Sequence, residues 1–192
     1  DMKAAGAKLA TGCTYKYLNG GPGAPSFLYA RTDLLPKLHT PLPGWMGHAA
    51  PFEFDGQYRP REDAARFASG TPPILSLSAL EGALEAFDDI DMMALEAKAG
   101  ALGDLCIARA EEIGLEIMSP HDASKRGGHV SLKVENGYPV TRALHAQGFQ
   151  SDFRSPDTVR FGFSPLYLSY VDVWDLMEAL TEILHSKSWD AP

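Results

Sequence analysis

A chain of 192 residues, 45% hydrophobic and 22% charged, is globular in composition and can bury one large or two small cores, so disorder is not the default. Its 25 acidic against 17 basic residues leave a net charge of −8. That balance excludes a nucleic-acid surface, which needs concentrated lysine and arginine. Cys13 and Cys106 stand far apart in the chain, so neither a metal cluster nor a disulfide framework can be read from them, and a reducing cytoplasm is the simplest setting. No basic-then-apolar leader opens the chain, and nowhere do about eighteen apolar residues run together, so the expectation is neither secretion nor membrane spanning. The chain begins at Asp1 instead of methionine, which suggests a piece of a longer protein.

Residues 1–12, rich in Ala and Gly, lead into Cys13-Thr14-Tyr15-Lys16-Tyr17-Leu18-Asn19-Gly20-Gly21-Pro22-Gly23-Ala24-Pro25. Lys16 stands between two tyrosines, just ahead of a Gly/Pro-dense turn. An amine that is to form a Schiff base must be fixed in position, partly desolvated and flanked by polar groups, and the phenols supply the last of these. On periodicity alone Lys16 also reads as an ordinary lysine capping a strand. A phosphate-binding P-loop is excluded, because its glycines precede the lysine and a Ser or Thr follows it. Phe27-Leu28-Tyr29-Ala30 then reads as a buried strand, giving a strand, loop, strand unit around Lys16.

From Pro36 to Pro60, five prolines (36, 41, 43, 51 and 60) with Gly44, Gly47 and Gly56 rule out regular structure over most of the stretch. A long ordered loop of this kind is usually functional, and this one carries Trp45 and His48. Trp45 reads equally as a loop anchor or a ligand contact, and His48 chiefly as a residue that orders the loop. Pro72-Pro73 opens an apolar helix with Leu77, Leu80, Leu84 and Phe87 on one face. A longer helix is predicted from about Asp91 to Glu112, with Leu95, Leu102, Cys106 and Ile113 near one stripe, closed by Gly114.

Beyond Gly114 short β-type runs appear at Leu115–Met118, His129–Val134 and Thr158–Phe163, with one helix near Tyr138–Gln147, which implies a small α+β domain. Arg126-Gly127-Gly128 reads as entry to the second run, making His129 structural. In Val159-Arg160-Phe161-Gly162-Phe163 alternation points Val159, Phe161 and Phe163 one way and Arg160 and Gly162 the other. Arg160 thus shares its face with a residue that has no side chain, leaving room for a carboxylate against its fork; a surface arginine on an edge strand is the alternative. The last helix is predicted to start at Ser169, capped with Asp172, with Val173, Trp174, Met177, Leu180 and Leu184 inward and Asp172, Asp175, Glu178 and Glu182 outward. The remaining histidines, His39, His121, His145 and His185, have no ligand spacing, and no metal site is expected.

The lysine segment resembles that of the kynureninases, and Val159–Tyr167 is similar to the family segment whose arginine holds the substrate α-carboxylate. Gly44-Trp45-Met46-Gly47-His48 and Ser69-Gly70-Thr71-Pro72-Pro73-Ile74 resemble two further family segments, in the same order. The resemblance covers essentially the whole chain. It implies an α/β chain forming the C-terminal part of a fold-type-I pyridoxal phosphate enzyme: residues 1–90 the end of the cofactor-binding large domain, residues 91–192 the small α+β domain. It further implies a cytoplasmic homodimer that hydrolyses L-kynurenine or its 3-hydroxy derivative to an anthranilate and L-alanine, in tryptophan catabolism. Lys16 and Tyr15 would be catalytic; Lys16, Tyr15, Trp45 and Thr71 would bind pyridoxal 5'-phosphate; Arg160 would bind the substrate. On residue type alone, Thr71 reads more simply as a helix-entry residue before proline.

One departure accompanies these matches. Fold-type-I enzymes hold the pyridine nitrogen with an aspartate upstream of the lysine, and Asp1, the only acid before Lys16, falls after that position in the family pattern. The chain by itself is therefore expected to be inactive, with apolar faces uncovered at Phe27–Tyr29 and Leu77–Phe87. The alternatives are another fold-type-I lyase or desulfurase, and a non-catalytic module that has kept the fold.

Overall fold

The computed structural model describes residues 2–54 and 56–190, so Asp1 lies outside the described residues. The chain divides into two compact units, Asp1–Asp88 and Asp89–Pro192.

In the first unit, β1 (Leu9–Cys13) and β2 (Ser26–Ala30) pair antiparallel, with Leu9 opposite Ala30 and Cys13 opposite Ser26. The connecting loop reverses through left-handed backbone at Asn19, Gly21 and Gly23, a conformation that glycine adopts freely and asparagine tolerates. The strand forms where the turn signals on either side place it, and within this unit it is left uncovered, as expected of this chain by itself. Phe27 and Leu28 are 40% and 49% exposed, because a two-stranded ribbon has no further layer in this unit to cover it. Only Ala30 of β2 is buried.

A 3-10 turn over Thr32–Lys37 then buries Leu35, and the buried Arg66 donates from Nη1 to the Leu35 carbonyl at 2.5 Å. The proline-rich stretch holds itself by such contacts in place of regular structure. α1 (Ile74–Leu84) starts directly after the two prolines, and none of its residues is buried. Phe87 falls in a separate 3-10 turn, Glu85–Phe87, where its ring meets that of Tyr17 at 6.2 Å. Of the apolar face expected at Leu77–Phe87, Leu77 and Leu84 are exposed while Leu80 and Phe87 are half-buried.

The second unit is a four-stranded antiparallel sheet with helices on one face. α2 (Met92–Glu112) is capped by Asp91, whose carboxylate accepts from the N–H groups of Met93 and Ala94, and Gly114 ends it at φ +74°. The strands β3 (Glu116–Ile117), β4 (His129–Lys133), β5 (Asp152–Arg154) and β6 (Thr158–Gly162) take the order β3-β4-β6-β5. α3 (Gly137–Ala146) and α4 (Tyr170–Ser186) complete the unit. β5 has no counterpart in the sequence reading, since three residues are too few to carry a period.

Val130, Leu132, Val159, Phe161 and Phe163 turn to the helices and are buried with Leu102, Cys106, Leu144, Met177 and Leu180. At α4 the predicted capping box is complete, Ser169 and Asp172 each bonding the other's backbone N–H. The predicted inward set is corrected at two positions. Trp174 is 46% exposed and Leu184 only partly buried, while Leu176, Ala179 and Ile183 are buried instead. Trp174 lies about 100° round the helix from Val173, at the edge of the stripe, where the Arg109 guanidinium stacks 4.2 Å from its ring centroid. Arg109 also pairs with Glu112 and Glu178. Among the described residues no helix is long and apolar enough to cross a membrane.

Candidate active site

Lys16 lies in the loop between β1 and β2, with the amine 5.1 Å from the centroid of the Tyr15 ring. The Asn19 N–H donates to the Lys16 carbonyl at 2.9 Å and the Gly20 N–H to the Thr14 carbonyl at 3.0 Å. The buried Thr14 hydroxyl closes the base of the loop on the Pro25 carbonyl. The backbone on both sides of the lysine is thus fixed, as a Schiff-base amine requires. Desolvation is not supplied by this unit: Lys16, Tyr15 and Tyr17 are all exposed, since the hairpin lays no layer over its own loop.

The segments that carry Trp45 and Thr71 meet by backbone contact. Gly44 sits so close to Ser69 that a Cβ there would fall 2.0 Å from the Ser69 carbonyl oxygen, and the Met46 N–H donates to that same oxygen at 3.3 Å. Gly47 is also close, a Cβ there falling 2.6 Å from the Ala68 and 2.7 Å from the Arg66 carbonyl oxygen. These glycines are needed for close approach and not for backbone angle, as Gly44 is extended at φ −150°. Thr71 does not serve as the helix-entry cap, because the N-cap of α1 is Pro73 and no side chain caps it.

Trp45 is half exposed, edge-on to Phe52 at 5.7 Å, and lines a cavity of about 440 Å³ with His48, Pro51, Phe54 and Tyr58. His48 is buried, and both ring nitrogens are engaged by backbone: Nδ1 accepts from the Ala50 N–H at 2.9 Å, which leaves Nε2 to donate to the Gln57 carbonyl at 3.0 Å. It orders the loop. His129, read as structural, opens β4 with its side chain exposed.

Arg160 belongs to the second unit, and its strand is not an edge: β6 lies between β4 and β5. Alternation holds as expected, with Val159 and Phe161 buried under the helices and Arg160 and Gly162 on the opposite face. Across the ladder Arg160 pairs with Ser131 on β4 and Asp152 on β5. Its Nη2 donates to Asp152 Oδ2, which also accepts from Arg154 Nη2 at 3.1 Å. Partial burial raises the Asp152 carboxyl, but the Arg160 hydrogen bond and the charges of Arg160 and Arg154 outweigh it and hold it below its ordinary value. Asp152 was missed because β5 was missed. An Asp two residues before an Arg, eight residues ahead of a strand arginine, was the only signal available.

Arg126 is a second residue the sequence reading underrated. Instead of only leading into a strand, its side chain is 3% exposed. It donates from Nη1 to the Pro120 and His121 carbonyls, each at 2.9 Å, and from Nη2 to the Gly100 carbonyl at 3.1 Å and to Asp104. It ties the chain after β3 to α2.

Comparison with known proteins assigns the class first. The chain superposes on the apo cysteine desulfurase of Thermococcus onnurineus NA1 with a TM-score of 0.80 at 20% identity, over 96% of this chain and 49% of that one. It also superposes, with a TM-score of 0.77 at 14% identity over 95% of this chain and 48% of that one, on a mutant of the lyase C-DES with glycine covalently linked to its pyridoxal phosphate cofactor. The fold is that of the fold-type-I pyridoxal phosphate enzymes, as the sequence resemblance implied. Within that class, residues 95–180 match the kynureninase C-terminal domain family. The Pseudomonas fluorescens kynureninase is 42% identical over 193 residues, 98% of this chain and 46% of that protein. The chain is thus similar throughout to the kynureninases, and it spans about half the length of the curated relatives it matches.

Proposed function

We propose that the enzyme containing this chain is a pyridoxal phosphate-dependent kynureninase, cleaving L-kynurenine or its 3-hydroxy derivative hydrolytically to an anthranilate and L-alanine. The observation that carries the reading is the Tyr15-Lys16 pair, held in a backbone-fixed loop of a chain 42% identical to a kynureninase. Residues 1–90 would belong to the cofactor-binding domain and residues 91–192 to the small domain of a cytoplasmic homodimer.

The donors on this chain fit the cofactor by their chemistry. Lys16 offers a primary amine to an aldehyde, and the Tyr15 and Thr71 hydroxyls and the Trp45 indole N–H offer donors to a phosphate; the close approach of the Gly44 and Ser69 backbones, which join the Trp45 and Thr71 segments, supports that reading. When bound, pyridoxal phosphate supplies the electron sink for the electrons left behind by the departing α-proton. Lys16 Nζ would hold the cofactor and, as a free amine, would take that proton as general base. The Tyr15 hydroxyl would donate to the phosphate and offer a proton relay. Arg160 binds the α-carboxylate through its fork and so fixes which bond at the α-carbon stands ready to break.

The test is turnover and cofactor absorbance in the enzyme containing this chain. L-kynurenine should be hydrolysed while L-cysteine is not. Lys16→Ala should lose the visible absorbance of the bound cofactor together with activity. Arg160→Ala should keep the cofactor and lose about 2 to 4 kcal/mol in kcat/KM. Turnover of cysteine in place of kynurenine would instead favour a desulfurase.

A further inference from the structure

We propose that Asp152 is a positioning residue for Arg160, setting the plane of its guanidinium so that the N–H groups left over meet an incoming α-carboxylate. The inference rests on the substrate-binding role of Arg160 given above. Antiparallel register sets Asp152 directly opposite Arg160, so the two side chains share the sheet face away from the helices. Arg160 neighbours Gly162 on that face and is one-third exposed. On that face its Nη2 donates to Asp152 Oδ2.

The carboxylate is itself well anchored. It sits on a strand paired to β6, its Oδ2 receives both Arg160 and Arg154, and its Oδ1 is buried without a hydrogen bond. Asp152 engages Arg160 through Nη2, and one N–H of Nη2 suffices for that bond, so its second N–H and the neighbouring N–H on the same edge of the guanidinium are left to form a fork for a second carboxylate. Charge permits that second anion. Two guanidiniums against one carboxylate leave the cluster at a net +1, so Asp152 orients Arg160 without cancelling its attraction for a substrate anion.

The experiment compares Asp152→Asn, Asp152→Glu, Arg160→Ala and the Asp152→Asn/Arg160→Ala double variant in the holoenzyme, with L-kynurenine as the probe. Asp152→Asn should raise KM about tenfold with kcat within about twofold, and Asp152→Glu, which keeps the charge one methylene further out, should fall between it and the wild type. On the Arg160→Ala background Asp152→Asn should add nothing, because the group it positions is gone. A raised KM in Arg160→Ala but an unchanged one in Asp152→Asn overturns the positioning role alone. So does an equal Asp152→Asn effect with and without Arg160. An unchanged KM in Arg160→Ala overturns the underlying reading of Arg160 as well. Should Asp152→Asn not fold, Asp152→Glu carries the same cycle: a several-fold rise in KM coupled to Arg160 supports the role, and an uncoupled or absent one overturns it.

Discussion

Replacing Gly44 by alanine tests whether the Trp45 and Thr71 segments form one cofactor-facing surface. The added methyl would lie 2.0 Å from the Ser69 carbonyl oxygen and 2.5 Å from the Ser69 carbonyl carbon and Cα. An unstrained contact needs about 3.5 Å, so the two backbones must separate by roughly 1.5 Å. No flexible side chain stands in the way to absorb the shift, which puts the cost at the upper end of the overpacking range, about 3 kcal/mol. Backbone angle adds nothing, as φ −150° and ψ 169° suit alanine. The Met46 to Ser69 hydrogen bond would break, and Trp45 would move relative to Thr71. A displacement near 1 Å at a positioned ligand can cost about a hundredfold, so cofactor affinity should fall at least tenfold. The measurement is a titration of pyridoxal phosphate by absorbance, with thermal melting alongside. Gly70→Ala is the control: it adds the same methyl one residue from Thr71, where nothing lies within 4 Å. If Gly44→Ala bound the cofactor and melted like Gly70→Ala, the joined-segment argument would be refuted.

Two further predictions concern the second unit. Arg126→Ala should lower stability by about 2 to 4 kcal/mol in urea titration, because it removes a buried cation that satisfies three carbonyls and Asp104; lysine should recover less than half, lacking the fork. Burial pushes the Cys106 thiol up to about 12, the Arg126 charge only partly opposing it, so in the native protein it should resist thiol reagents at pH 8 that modify it after denaturation. The unfolded thiol ionises near 9.0 while the native one keeps its proton, so this group lowers the folding equilibrium by up to about tenfold per pH unit between those two values. Cys106→Ala should flatten the alkaline limb of the stability profile. An unaltered limb would show that the thiol does not govern it.

The elements that could be read from the chain are those whose signals are local. α2 and α4 carry a stripe long enough to define a period and a cap residue at the start, and both begin within a residue of the expected place. The Arg160 strand was legible because five alternating residues with a glycine allow only one buried face. What escaped depends on partners remote in sequence. β5 is three residues long, and only its ladder with β6 makes it a strand. Asp152 gains significance from Arg160 eight residues on, and Arg126 from carbonyls as far away as Gly100. Trp174 was misplaced for a related reason. A period says which residues can turn inward, but whether a ring at the stripe's edge is covered depends on what the neighbouring helix presents, here the Arg109 guanidinium. The lysine loop divides along the same line. Its turn chemistry was written in Asn19, Gly21 and Gly23, whereas desolvation of Lys16 needs a covering layer that no residue in the loop encodes. A candidate amine can therefore be singled out by sequence while the surroundings that would tune it are set by whatever packs over the hairpin.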